Sequence, residues 1–396
     1  MKILMIRWKS ICEPDMMAAF AALGQEVTVW GQEIDDPDYD RKALHALAPT
    51  LLENHYDFVF TVDYFPIVAR VCSAVKVRYV SWSVDCPVMQ YYSKTLSLSY
   101  NRVFLFDYAM YEEFVKENPE HIYYLPLGTN VKHNDEVMAS ITKEDQKRFT
   151  SQVSFIGSLY TEKCRYNQLT GLSEYTRGYA NALLEAQLLI YGYNFLEEAM
   201  TKEFVARFCE EADWGQMHED YREDDRALIA QMYLGEKVTE QERLRLLDRL
   251  SRQFPVTIYT QSNVSRLPAL ENRGSAESRR EMPIIFHLSR INLNMTSKTI
   301  RTGLPQRFWD VLGAGGFLLS NMQAELPEYL VPGEDLETYS SFEECEEKIA
   351  YYLKHEEERQ AIARRGYEKV KEHYTYEHRI AQMLTILEKE MSPSGA

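Results

Sequence analysis

The chain has 396 residues and a formal net charge of -16, and its composition is 45% hydrophobic and 12% aromatic. These values are typical of a folded protein with enough apolar side chains for two cores, and they exclude intrinsic disorder. The acidic charge disfavours nucleic-acid binding, because phosphate backbones are themselves negative.

The first residues predict a strand and not a leader segment. Met1–Ile6 is apolar, but Arg7, Lys9 and Glu13 follow at once, which does not match a secretory signal. No apolar run approaches the length of a membrane span. The six cysteines form no CxxC pair and have no histidine at ligand spacing, so neither a zinc site nor a disulfide framework is expected. We therefore expect a soluble cytoplasmic protein.

Six short apolar segments in the first third of the chain have the composition of strands. They are residues 2–8, 26–30, 58–62, 78–84, 102–107 and 122–127. Segments of helical period lie between them, at residues 15–23, 41–54 and 108–117. Strands that alternate with helices form a parallel sheet, so residues 1–130 are predicted to be a Rossmann-like domain.

The rest of the chain predicts a second domain of the same class. Residues 131–150 are polar and read as a linker with a helical turn, and the second domain is expected over 151–375. A charged block at about 175–253 predicts a helical insertion in it. Strands then resume at residues 256–260, 291–294, 317–320 and 336–339. The predicted fold class is α/β, with two Rossmann-like domains facing a cleft.

Aspartates follow several predicted strands of the first domain. They are Asp15, Asp63, Asp85 and Asp107. Ligands of parallel sheets bind at the carboxyl ends of the strands, where a carboxylate can take a proton from a hydroxyl group. Each aspartate also suits a helix cap or a turn. Asp85 is favoured because Cys86-Pro87 fixes a non-helical turn after it, with Trp82 nearby as a sugar-facing surface.

Several motifs of other enzyme classes are missing. The first strand is not followed by GxGxxG, and no GxxxxGK[ST] loop is present, so a dinucleotide cofactor and a simple kinase are both disfavoured. Asp36, Asp38 and Asp40 form DxD patterns, but they lie in a polar loop and read as solvated turn residues. We expect no metal and no cofactor.

The segment 286–309 is a basic island in this acidic chain. It contains Arg290, Lys298, Arg301 and Arg307 and no acidic residue. The Gly303-Leu304-Pro305 turn places proline in the first turn of a helix that runs to about residue 314, and a helix N-terminus binds anions through its backbone N–H groups. The island therefore predicts a phosphate or diphosphate site. The alternative is a solvated helix start.

The second domain begins with a strand that leads into Gly157-Ser158 and then into Lys163 and Arg165. A glycine after a strand allows a ligand to approach the backbone closely, although an ordinary turn has the same composition.

At these residues the chain resembles bacterial glycosyltransferases of the GT-B fold, specifically the spore-maturation CgeB-like group. The motifs that carry this resemblance in the first half are SWSVDCP at 81–87, VFLFD at 103–107 and YLPLGTN at 124–130. Those in the second half are VSFIGSLY at 153–160, INLNMT at 291–296 and GLPQRFWDVLGAGGFLLS at 303–320, together with PGEDLETY and RRGYEKVKEHYTYEHR near the end.

The resemblance implies that a nucleotide sugar binds mainly to the C-terminal domain without a metal, and we expect this donor to be UDP-linked. The implied donor-binding residues are Gly157, Ser158, Arg165, Lys298, Arg301, Arg307, Asp310 and Gly315. Asp310 stands where related transferases carry a glutamate that binds the ribose. Thr302 stands eight residues earlier, so the EX7E pattern of many retaining members is not matched and an inverting mechanism is favoured. The last helix, 376–396, is implied to pack back on the N-terminal domain.

The sequence therefore predicts a metal-independent transfer of a sugar to a hydroxyl acceptor, which is a glycan, a protein or a small molecule. Asp85 is the candidate base, and Asp63 is the second candidate catalytic residue. Two alternatives remain open: a nucleotide-sugar epimerase of the same fold, and a catalytically degenerate scaffolding protein.

Overall fold

The structure is a computed structural model that describes residues 1–212, 220–222 and 224–391. The expected insertion and the expected last helix extend partly into residues 213–219, 223 and 392–396, which lie outside the described residues. The chain divides into two compact units. The first comprises residues 1–130, 218–222 and 373–396, and the second comprises residues 131–217 and 223–372.

Twelve strands are found in the described residues. They are β1 (Lys2–Met5), β2 (Glu26–Val29), β3 (Phe58–Val62), β4 (Arg78–Trp82), β5 (Asn101–Leu105), β6 (Ile122–Tyr124), β7 (Ser151–Ile156), β8 (Val256–Tyr259), β9 (Glu271–Asn272), β10 (Ser289–Asn294), β11 (Leu318–Asn321) and β12 (Glu337–Tyr339).

Seventeen α-helices are found in the same residues. They are α1 (Glu13–Ala22), α2 (Arg41–Glu53), α3 (Pro66–Val75), α4 (Tyr108–Phe114), α5 (Val131–Ala139), α6 (Lys143–Phe149), α7 (Glu174–Leu188), α8 (Leu196–Ala199), α9 (Lys202–Glu211), α10 (Asp225–Leu228), α11 (Glu236–Ser251), α12 (Glu281–Leu288), α13 (Gln306–Gly313), α14 (Leu326–Tyr329), α15 (Phe342–Tyr352), α16 (Glu356–His373) and α17 (Tyr376–Met391). No described helix is both long and apolar enough to cross a membrane.

The first unit contains a parallel sheet with the strand order β2-β1-β3-β4-β5-β6. Its inner strands β3 and β5 are buried along their whole length, as expected for a parallel sheet covered on both faces. The helix α17 packs on α1 within this unit, burying Tyr376, Ile380 and Met383. The first unit therefore takes in chain from both ends of the sequence.

The second unit contains a parallel sheet with the order β12-β11-β10-β7-β8-β9. The polar segment expected to be a linker with a single helical turn forms the helices α5 and α6 of this unit. Its polar residues cap a helix: Thr142 and Asp145 make a reciprocal capping box at the start of α6. The helical insertion spans α7 to α11 and has its own apolar cluster, which includes Leu184, Phe204 and Leu234.

Candidate active site

The topology of the second sheet selects one place for a ligand. From β7 the chain continues to β8 on one side, and later returns to β10 on the other side. The two neighbouring strands β7 and β10 are parallel, with Val153 opposite Ile291, so their carboxyl ends meet at a switch point. Ligands of open α/β sheets bind in this position. The turn after β7 and the loop 295–305 after β10 therefore frame the candidate donor site.

The turn after β7 contains two of the predicted donor residues. The backbone N–H of Gly157 donates to the carbonyl oxygen of Tyr259 at 3.2 Å. A Cβ atom on Gly157 would lie 3.2 Å from the ring of Phe155, so the site leaves little room for a side chain there. The Ser158 hydroxyl donates to Glu162 at 2.8 Å and accepts from the backbone N–H of Tyr160 at 2.9 Å. These contacts hold the turn in one conformation.

The loop after β10 is anchored on the turn that follows β11. Gln323 donates to the carbonyl oxygen of Gly303 at 3.0 Å. The Thr302 hydroxyl donates to the Glu325 carboxylate at 2.6 Å, and the backbone N–H of Glu325 donates back to the Thr302 carbonyl at 3.1 Å. The anchored loop leads to Pro305, the N-cap residue of α13, which makes no side-chain cap. No side-chain cap therefore covers the start of α13, and a helix N-terminus of this kind suits an anion.

Three predicted donor residues lie in this loop and in α13. Arg307, in the first turn, contacts the Met282 sulfur at 3.5 Å and lies 5.3 Å from the centre of the Phe286 ring. Asp310 accepts from the side-chain amide of Gln306 at 2.7 Å. Arg301 is half-buried in the loop itself. Arg301, Arg307 and Asp310 therefore all lie in α13 and the loop that precedes it.

Two other predicted cations are paired inside the unit. Lys298 is 7% exposed, and its ammonium lies 3.6 Å from the Glu242 carboxylate and 4.2 Å from the centre of the Tyr191 ring. Arg165 forms an ion pair with Glu236 at the start of α11. Both cations are compensated by acids of the helical insertion, which lie far from them in sequence.

Gly315 does not join the other predicted donor residues. It follows α13 with a φ of +71°, a conformation that favours glycine, and it precedes β11. Its position is therefore at the amino edge of the sheet, whereas the turn after β7 and the loop after β10 lie at the carboxyl edge. The structure gives Gly315 a role in the turn and does not place it at the candidate donor site.

Arg243 is a switch-point residue that the sequence did not reveal. Its guanidinium donates to the carbonyl oxygen of Ser158 at 2.5 Å and to that of Met295 at 2.6 Å, so it joins the turn after β7 to the loop after β10. It also lies over the rings of Phe155 and Tyr160, at 5.5 and 5.0 Å. Burial lowers the pKa of this guanidinium from its usual value. Its position in a block of alternating charges gave no local signal.

The two predicted catalytic aspartates are neighbours in the first unit. Asp63 follows β3, is 5% exposed and has a φ of +56°. Its side-chain oxygen Oδ1 accepts from the backbone N–H groups of Val84 and Asp85, at 2.9 and 3.2 Å. Burial, and then the negative charge of Asp85, raise the pKa of Asp63 well above its usual range. Asp85 itself is exposed, so it is the carboxylate that an acceptor can reach.

The other residues singled out in the first domain have structural roles. Trp82 was expected to face a sugar, but this is wrong: the side chain is fully buried, and its indole N–H donates to the Leu125 carbonyl at 3.0 Å. Asp107 caps α4 by accepting from the backbone N–H of Met110. In the loop with the DxD patterns, Asp40 caps α2 and Asp36 accepts from the backbone of the following turn.

Comparisons with known proteins agree with this geometry. Residues 241–385 match a family model described as glycosyl transferase-like. An uncharacterized protein of Aquifex aeolicus is 31% identical over 99 residues, which is 24% of this chain and 24% of that protein. The match thus spans about a quarter of that relative's length.

Two solved structures share the fold of the whole chain. A glycosyltransferase from Rickettsia africae superposes with a TM-score of 0.58 and 11% identity, covering 99% of both chains. Alr3699/HepE of Anabaena, in complex with UDP and glucose, gives a TM-score of 0.55 and 10% identity, covering 97% of this chain and 99% of that one. The expected α/β architecture with two Rossmann-like sheets, GT-B, is confirmed. The family match agrees with the expected enzyme class over residues 241–385.

Proposed function

We propose that the protein transfers a sugar from a nucleoside diphosphate donor, linked to uridine, to a hydroxyl group of an acceptor. The observation that carries this proposal is the switch point of the second unit. A glycine turn, the uncapped start of α13 and the cations Arg243, Arg301 and Arg307 belong to its two loops and the adjoining helices. Such a set suits a diphosphate group, which needs donors and positive charge.

These groups supply what the departing diphosphate requires. When the bond between the anomeric carbon and the phosphate oxygen breaks, the electron pair stays on the diphosphate, and its negative charge is stabilised by fixed cations and N–H groups. Arginine side chains and backbone amides provide that stabilisation without a metal ion. The proposed enzyme is therefore metal-independent and needs no further cofactor.

The acceptor hydroxyl is activated by Asp85 in this proposal. Its exposed carboxylate takes the proton while the hydroxyl oxygen forms a bond to the anomeric carbon. Asp63 holds the turn through the N–H groups of Val84 and Asp85, so its role is positioning. A single displacement by an activated hydroxyl inverts the anomeric centre, which agrees with the unmatched EX7E pattern.

Further support comes from the solved structures. Alr3699/HepE was crystallised with UDP-glucose, and that complex superposes on this chain with a TM-score of 0.56. We infer a UDP-linked donor on that basis. The CgeB-like subgroup and a cytoplasmic location rest on the sequence motifs alone.

Calorimetric titration with uridine diphosphate tests the donor site. We expect Arg307→Ala to weaken binding by about 1.5–3 kcal/mol, the usual contribution of a charge-assisted hydrogen bond, with an unchanged melting temperature. Unchanged affinity in this variant would place the phosphates elsewhere.

Mass spectrometry with a panel of nucleotide sugars tests the reaction. Transfer to an added glycan, peptide or small-molecule acceptor supports the proposal and identifies the acceptor class. Conversion of the donor to an isomer without any acceptor would favour the epimerase, and tight donor binding with no turnover would favour the scaffolding protein.

A further inference from the structure

A cavity of about 560 Å³ lies at the amino edge of the second sheet. Its walls come from α5, from the end of α12 and the start of β10, from the turn between α13 and β11, and from one face of α16. The residues that line it include His287, Arg290, Gly315, Phe317, Arg359, Ala363, Arg364 and Tyr367. The candidate donor site lies at the carboxyl edge of the same sheet, so this cavity is a separate feature.

Positive charge predominates in the cavity wall. It contains the three guanidinium groups of Arg290, Arg359 and Arg364, against the two carboxylates of Glu356 and Asp135. Within the described residues, Asp135 does not pair with these arginines: its carboxylate accepts from the Tyr367 hydroxyl at 2.7 Å and from the Lys371 ammonium at 3.3 Å. Glu356 is left as the counter-charge of the arginines.

Glu356 does not satisfy these arginines. It accepts from Arg290 at 3.0 Å and lies 3.6 Å from the Arg359 guanidinium. The Nε atoms of both arginines are buried and have no hydrogen-bond partner within the described residues. Arg359 is only 7% exposed, which makes such a missing partner costly.

Arg364 adds an uncompensated charge. It is exposed on α16, lines the cavity, and has neither an ion pair nor a hydrogen bond to any residue that the structure describes. It lies one helical turn or more beyond Arg359 and Gln360, on the face that α16 turns toward the cavity. His287 lies on the opposite wall, where its Nδ1 donates to the Ala314 carbonyl at 3.0 Å.

We propose that this cavity binds the phosphate group of a small ligand. A guanidinium group can donate two hydrogen bonds at once to the oxygens of one phosphate. The cavity wall has more guanidinium N–H donors than its two carboxylates can accept. The volume lies in the range of small-molecule sites. The apolar surface of Phe317 and Ala363 would contact an organic part of the ligand, such as a sugar.

The test is calorimetric titration of the full chain at constant ionic strength, with inorganic phosphate in one arm and glucose 6-phosphate in the other. Arg364→Gln removes the exposed cation of the cavity without removing any bond of the fold. Arg365→Gln is the matched control, because this neighbouring exposed arginine donates to the Glu334 carbonyl and does not line the cavity. Both variants should keep the wild-type melting temperature.

We expect saturable binding of at least one probe, weakened about tenfold by Arg364→Gln and unchanged by Arg365→Gln, as for loss of one charge-assisted contact. Tighter binding of glucose 6-phosphate than of phosphate would identify an organic phosphate as the ligand, and equal binding would identify free phosphate. Absence of saturable binding, or equal affinity in the wild type and Arg364→Gln, would overturn the proposal. Neither result depends on whether uridine diphosphate binds at the switch point.

Discussion

In the proposed mechanism, Asp63 and Asp85 have two different tasks. Asp63 is buried and holds the backbone of the turn, whereas Asp85 is exposed at the same turn. A buried carboxyl with a raised pKa is a poor partner for a solvent-exposed acceptor, and an exposed carboxylate is a suitable base. In the proposed mechanism Asp63 therefore positions the turn and Asp85 takes the proton.

Asp85→Asn is expected to lower turnover by roughly a hundredfold to ten-thousandfold, the range for loss of a positioned base. Donor affinity and the melting temperature should remain those of the wild type, because the Asp85 side chain is exposed. Steady-state kinetics and calorimetry on the same preparation measure both quantities.

Asp63→Asn and Asp107→Asn serve as the comparison for that experiment. If Asp63→Asn abolished turnover while Asp85→Asn did not, the base would be Asp63. If none of the three substitutions lowered turnover, a retaining mechanism without an enzymic base would be the better account.

The raised pKa of Asp63 also predicts a pH dependence of stability. The protonated carboxyl is favoured in the folded chain, so its contribution is present in full below the unfolded pKa of about 3.9 and is lost as the pH rises through the folded pKa. Asparagine keeps the acceptor oxygen and cannot ionise. The melting temperature of Asp63→Asn minus that of the wild type should therefore increase as the pH rises from about 4.

Asp145→Asn is the control for this measurement. The hydrogen bond from Arg280 lowers the pKa of Asp145 in the folded chain. The stability that Asp145 contributes is therefore lost only as the pH falls toward and below its pKa in the unfolded chain. From about pH 5 to pH 8 the melting temperature of Asp145→Asn minus that of the wild type should not change with pH. A difference in melting temperature that does not change with pH for Asp63→Asn would contradict a raised pKa of Asp63.

For single residues, the sequence predicts where a side chain lies along a strand or turn better than it predicts which distant residues that side chain contacts. Asp63 and Asp85 follow strands in the structure, as the sequence predicts, because a strand end is a local pattern. The burial of Trp82 and the pairing of Lys298 with Glu242 depend on segments far away along the chain, and no local pattern encodes them.

Among the elements, α11 connects the helical insertion to the switch point. It carries Glu236 and Glu242, which pair with Arg165 and Lys298, and it carries Arg243. The insertion is therefore part of the construction of the candidate donor site. The sequence predicted an insertion from its charge and helical period, but a solvated helix face has the same composition as one that supports a site.

We expect Arg243→Gln to weaken uridine diphosphate binding about tenfold and to lower stability by about 1–3 kcal/mol. Two carbonyl oxygens, of Ser158 and Met295, lose their charged donor, and the two switch-point loops lose their connection. Calorimetry and thermal unfolding measure the two effects.

Arg245→Gln is the matched control on the same helix. Arg245 is exposed and pairs with Glu185 at the surface, so its loss should change stability by no more than about 1 kcal/mol and leave nucleotide affinity unchanged. Equal behaviour of the two variants would show that Arg243 does not position the site.

For the whole molecule, the arginines at the switch point form a local positive charge in a protein whose formal net charge is -16. The diphosphate of the proposed donor would be repelled by the net charge of the protein and attracted by a few fixed groups. Since those groups are arginines and backbone amides, activity should persist in excess chelator. Complete loss in chelator with recovery on adding manganese would contradict this expectation and direct attention to Asp36, Asp38 and Asp40.

The packing of α17 on α1 determines how the protein can be dissected. The first unit is assembled from residues 1–130, a short segment around 220–222 and the chain after residue 372. A fragment that stops at residue 130 would lack Tyr376, whose ring meets Trp82 edge to face at 6.0 Å, and would expose the apolar surface that α17 covers. A single truncation therefore cannot separate the two units. A soluble fragment of the first unit would need α17 fused to residues 1–130.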